Sequence, residues 1–155
     1  MTTPAVTVLG VGNPIMGDDG VGLELLALLQ ARRPDARVAY VEGGTSGMEL
    51  VPVVQDASRL LVLDAVASRQ APGTAVRIGG DQVPRLLASK LSPHQVGLLD
   101  VLAAVRLLGS EPEAVEVVGV VPASVDLRLG LSDEVSDALP AAIDLADQVL
   151  DEWLG

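Results

Sequence analysis

Short apolar runs alternate along the chain with stretches whose apolar residues recur at helical spacing. That is the pattern of β-α-β units built around a mostly parallel sheet. Val6 to Gly12 is a β-branched run bounded by glycine and predicts a first strand. From Gly20 to Arg32 the stretch GVGLELLALLQAR sets Val21, Leu25, Leu28 and Leu29 on one helical face, and Pro34 ends it. Arg37 to Glu42 predicts a second strand, and Leu60 to Ala65 (LLVLDA) a third that is buried. Met48 to Gln55 reads as a short helix, with Pro52 counting against it.

Gly73 to Ile78 predicts a fourth strand. It follows the third too closely for a crossover helix, so it is expected to be an antiparallel edge. Gln82 to Ala88 has room for a helical turn or two. Pro93 to Leu108 is a strong helix, with Pro93 at its start and Gly109 to stop it. Val115 to Val121 is the last strand. Ser132 then caps an amphipathic helix running to about Trp153, with Pro140 as a place for a kink. No repeat, linker or low-complexity tract breaks the series. The expected fold is one α/β domain over residues 1–155: a three-layer sandwich with a five-stranded, mostly parallel twisted sheet, helices on both faces and one antiparallel edge strand.

Composition narrows the chemistry. The chain has 155 residues, 49% of them hydrophobic, yet no apolar run approaches the roughly 18 residues of a membrane span, so the apolarity belongs to a core. Met1-Thr2-Thr3-Pro4 lacks the basic and apolar regions of a secretory signal, and a cytoplasmic protein without a membrane partner is expected. Lys and Arg number 10 against 21 Asp and Glu, a net charge of −11 that disfavours nucleic acid as a partner. With no Cys, thiolate nucleophiles, Cys-ligated zinc and iron–sulfur clusters are excluded. The one His, His94, rules out a His-Glu-x-x-His zinc helix.

The first strand runs into a glycine-rich loop, Gly10-Val11-Gly12-Asn13-Pro14-Ile15-Met16-Gly17-Asp18-Asp19-Gly20-Val21-Gly22. Such strand-to-helix loops often cradle phosphate, but here two carboxylates stand where the anion would sit, and neither Gly-x-Gly-x-x-Gly nor Gly-Lys-Ser/Thr is present. Asp18 and Asp19 can instead favour the dipole at the start of the first helix, the simpler reading for Asp18. Asp64 ends the third strand. In a sheet of order 2-1-3, strands one and three meet at the switch point where ligands bind, which sets Asp19 and Asp64 on opposite sides of one crevice. His94 lies in Leu91-Ser92-Pro93-His94-Gln95, at a helix start facing the same edge. Two carboxylates and an imidazole make a ligand set suited to Zn, Ni, Fe or Mn. The loop Glu42-Gly43-Gly44-Thr45-Ser46-Gly47 follows strand two at that edge. It is either a glycine turn or a place where another chain's backbone approaches, at Gly43, Gly44 and Thr45. Ser46 is not in a Gly-x-Ser-x-Gly elbow.

Five segments, GVGNPIMGDDGVG, VEGGTSGMEL, LLVLDAV, SPHQVGLLDVL and GVVPASVDLRLGLS, together resemble the [NiFe]-hydrogenase maturation proteases, in order and across nearly the whole chain. The resemblance implies an aspartic-type or metal-assisted endopeptidase that removes the C-terminal extension of a hydrogenase large-subunit precursor after nickel insertion. It implies that Asp19, Asp64 and His94 engage the metal and that Asp19 and Asp64 are catalytic. The nickel would arrive with the precursor, and other divalent metals could substitute in the free enzyme. A monomer would leave the crevice open to so large a partner. Asp19 is shorter than the Glu some members carry, and Glu42 stands where some have Asp.

Two other readings compete. An acidic pair after strand one and an Asp ending strand three also describe the phospho-acceptor pocket of a receiver-like signalling module. Here, however, the pair lies beyond the strand within a glycine loop, and the only lysine, Lys90, precedes the last strand. A small-molecule metallohydrolase would own a tightly held metal, which a donor set without thiolates does not favour.

Overall fold

The computed structural model describes residues 4–80, 82 and 93–155. Five strands, β1 (Val6–Val11), β2 (Val38–Gly44), β3 (Arg59–Ala65), β4 (Ala75–Gly79) and β5 (Ala114–Val120), form one sheet in the order β2-β1-β3-β5-β4. β1 pairs parallel with β2 and β3, β3 pairs parallel with β5, and β4 lies antiparallel on β5 at the edge. The short β3–β4 connection thus produces the expected antiparallel edge, because no helix intervenes to bring the chain back in the same direction.

Among the described residues, the helices that cover the sheet include α1 (Val21–Arg32), α2 (Val51–Asp56), α3 (Pro93–Leu107) and α4 (Asp133–Leu154). The pleat of β3 divides its side chains between two cores. Leu61, Leu63 and Ala65 join Val6, Val8, Val118 and Val120 beneath α1 and α4, while Leu60 and Val62 join Leu9 and Val117 beneath α2 and α3. A strand buried on both faces has no polar alternation, which is why LLVL reads as a continuous apolar run.

Pro52 begins a helix rather than breaking one. The stretch 48–56 forms a 3-10 turn, Met48–Leu50, followed by α2, whose first turn holds the proline where a missing N–H costs no helical bond. The Ser132 hydroxyl accepts the Val135 N–H at 3.4 Å, the cap expected from sequence, and α4 runs through Pro140 as one 22-residue helix. On the edge pair, Arg77 of β4 donates to Glu116 of β5 at 2.6 Å and to Glu152 of α4 at 2.5 Å, so charged side chains guard the open edge. Apart from Gln82, the helical turn expected over Gln82–Ala88 lies outside the described residues. Among the described residues no helix is long and apolar enough to cross a membrane.

Candidate active site at the carboxyl edge of the sheet

β1 leaves the sheet through a register slip between Gly10 and Val11, which brings Val11 opposite Gly44. The loop that follows folds tightly back on itself. At Gly12, φ is +139° and a Cβ would overlap the Asp19 carbonyl, while at Gly20 a Cβ would come within 2.8 Å of Pro14 Cα. Only glycine fits the first position. The Asn13 N–H donates to Asp19 Oδ2 at 3.0 Å across this fold, and a 3-10 turn, Gly17–Gly20, then leads into α1. At Gly22 there is no room for a Cβ, because the carbonyls of Val11 and Leu63 lie against it. The start of α1 therefore sits directly over the ends of β1 and β3.

Asp19 is 5% exposed and Asp64 2%. Asp64 is the sixth residue of β3, on the same face as Leu60 and Val62, and its Oδ1 accepts the Ala65 N–H at 2.8 Å. The turn bearing Asp19 packs against β3, so the fold brings the two acidic positions to one edge of two neighbouring strands. Gly43 and Gly44 end β2 beside them. The Gly12 N–H donates to the Gly44 carbonyl at 2.8 Å, Gly44 has φ +55°, Gly43 is buried against Leu9, and Thr45 is exposed.

His94 belongs to the first turn of α3. The far end of that helix is tied to the opposite edge of the sheet. Gln55 Nε2 donates to Ser110 Oγ at 3.3 Å, and the Glu113 N–H donates to the carbonyl of Ser58, just before β3, at 2.8 Å. The start of α3 therefore points to the carboxyl edge. The His94 side chain lies outside what is described, and among the described residues no three His, Cys, Asp or Glu side chains form a metal-binding group. Asp19 and Asp64 offer oxygen donors compatible with a divalent ion, and an imidazole would complete a borderline set.

Asp18 has a different task from the one its sequence position suggests. Its carboxylate is 1% exposed and reaches the segment between β5 and α4 rather than serving the dipole of α1. Oδ2 accepts the N–H groups of Ala123 at 2.9 Å and Ser124 at 3.1 Å and the Ser132 hydroxyl at 2.8 Å, while Oδ1 accepts the Ser132 N–H at 2.7 Å. Burial alone would raise the pKa of this carboxyl, but the bonds from Ser132, Ala123 and Ser124 outweigh it and hold the pKa below the ordinary value. The carboxylate therefore adds stability that is fully present above the unfolded-state pKa and is lost as pH falls through the lower folded-state one. Asp18→Asn is expected to cost about 2–3 kcal/mol at neutral pH, since an amide turns donors toward donors. The gap to wild type should narrow below about pH 4, as followed by denaturant unfolding across pH; a gap independent of pH contradicts this role. Sequence reasoning could not find this linkage, because its partners lie more than a hundred positions away.

Residues 23–149 match the family model described as hydrogenase maturation protease. The chain belongs to the hydrogenase maturation protease family. It is 38% identical over 142 residues to the Hydrogenase 2 maturation protease of Escherichia coli K12, covering 90% of this chain and 86% of that relative. It is 38% identical over 152 residues to the hydrogenase expression/formation protein HupD of Bradyrhizobium diazoefficiens, covering 96% and 79%. Among solved structures, the hydrogenase maturating endopeptidase HybD from E. coli superposes with a TM-score of 0.89 at 34% identity, over 95% of this chain and 92% of that one. The [NiFe] hydrogenase maturation protease HybD from Thermococcus kodakarensis gives 0.77 at 27% identity, over 93% and 97%. A hydrogenase maturation protease is a peptidase, and this membership sets aside the receiver-like and small-molecule metallohydrolase readings.

Proposed function

We propose that this hydrogenase maturation protease removes the C-terminal extension of a [NiFe]-hydrogenase large-subunit precursor once nickel has been inserted. The observation that carries the reading is the pair of buried carboxylates, Asp19 and Asp64, set at one edge of adjacent strands in a chain of this family. Asp19, Asp64 and His94 engage the nickel that the precursor brings, and Gly43, Gly44 and Thr45 border the approach of its backbone. A precursor without metal shares every other contact but lacks this anchor, so discrimination is a difference in affinity between two otherwise identical substrates. The protease works in the cytoplasm as a monomer, leaving the carboxyl edge open to a large protein.

Two routes to cleavage fit these donors. In one, the precursor's nickel polarises the scissile carbonyl. In the other, one carboxylate takes a proton from water as its oxygen attacks the carbonyl carbon, the C–N bond breaks, and the other acid, protonated, delivers a proton to the leaving amine. The test is paired incubation of the purified chain with nickel-loaded and nickel-free precursor, read by intact mass. Only the nickel-loaded precursor should be shortened. Equal processing of both sinks nickel recognition, and processing of neither sinks the substrate assignment.

A further inference from the structure

The segment between β5 and α4 leaves the sheet beside Asp64, since Val120 is paired with Ala65. It is laid along the loop that follows β1. The Arg128 N–H donates to the Ile15 carbonyl at 2.9 Å, the Gly17 N–H to the Arg128 carbonyl at 2.9 Å, and the Asp18 N–H to the Ser124 carbonyl at 3.0 Å. The four bonds accepted by the Asp18 carboxylate close the same seam. Gly17, at φ +58°, lets the Ser124 carbonyl come within 3.0 Å of where a Cβ would stand. The segment and the turn that carries Asp19 are thus one mechanical unit.

This unit shows four large apolar side chains to solvent, with the charged Asp126 and Arg128 among them. Leu129 is 80% exposed, Leu127 76%, Ile15 49% and Val125 47%. Single exposed leucines are ordinary on protein surfaces, but four large apolar side chains on one anchored seam, in a chain of net charge −11, are not. The buried Asp18 carboxylate, accepting four hydrogen bonds, keeps the segment that carries them in place. We propose that Ile15, Val125, Leu127 and Leu129 form an apolar docking strip that grips an apolar stretch of the precursor polypeptide close to the bond to be cut. The inference rests on the peptidase reading above. The strip is continuous with the loop that holds Asp19, so whatever covers it is held in fixed register with the acids. A second copy of the chain or a membrane in that place would crowd the carboxyl edge the precursor must reach, whereas a substrate chain held there is positioned for cleavage.

The test is the full-length Leu127→Ser/Leu129→Ser variant in steady-state processing of nickel-loaded precursor, beside its unfolding midpoint and sedimentation. Covering a leucine is worth about tenfold in affinity, so KM should rise by about tenfold or more while kcat stays within about twofold and the midpoint is unchanged. If wild type processes the precursor and the variant keeps its KM, the strip is refuted while the peptidase reading stands. If wild type processes no precursor, both fail. A change in sedimentation with KM unaltered assigns the strip to a second copy and also refutes the proposal.

Discussion

Asp19→Asn and Asp64→Asn should each lower precursor processing by about 10²–10⁴-fold, the range of a lost acid or base group. Asparagine keeps the shape of each side chain and one acceptor oxygen, so the Asn13 N–H and the Ala65 N–H retain their partners. Unfolding midpoints measured beside activity separate a loss of chemistry from a loss of fold. The way the activity is lost separates the two routes of cleavage. If the carboxylates work on water, kcat collapses while the variants still bind nickel-loaded precursor. If they serve to engage nickel, binding of the loaded precursor falls to that of the empty one. Full processing by both variants would remove Asp19 and Asp64 from the site.

Gly22→Ala sets helix propensity against steric overlap, with opposite signs. Gly22 lies in the first turn of α1, where helix propensity alone makes alanine more favourable by about 1 kcal/mol. The added Cβ, however, would meet the carbonyl oxygens of Val11 and Leu63, which belong to the main chains of two neighbouring strands. Neither strand can step aside without straining the pairing of β1 with β3, so overpacking wins and a loss of about 3 kcal/mol or more is expected. Denaturant unfolding decides it, because a stabilised variant would show that α1 is not clamped onto the strand ends. Since the same clamp sets the entry to α1 immediately after Asp19, the variant should also lose activity at temperatures where wild type is folded.

Much of this architecture is legible in the sequence because its signals are local. LLVLDA is unbroken because β3 is buried on both faces, and β4 is antiparallel because the chain between it and β3 holds no helix. Ser132 caps α4 as a serine before an acidic first turn should. Pro52 misleads only in its position, since α2 begins at Val51 and the proline sits in its first turn. The edge that holds Asp19 and Asp64 also follows from strand order alone. Asp18 does not. A carboxylate beside a helix start looks the same in sequence whether it serves that helix or a segment a hundred residues on, and only the closed fold shows that its oxygens go to Ala123, Ser124 and Ser132.

Asp64 stands on an inner strand and Asp19 on the turn clamped over that strand's end, which bears on when this enzyme can cut. β1 and β3 have strands on both sides and helices over both faces, whereas β2 and β4 are the outer strands. Breathing at the margins leaves β1 and β3 paired, and the turn bearing Asp19 stays seated over their ends because Gly22 lies against the carbonyls of Val11 and Leu63. On the proposed assignment of Asp19 and Asp64, a half-folded copy in which that seat is lost is expected to be inert rather than indiscriminate.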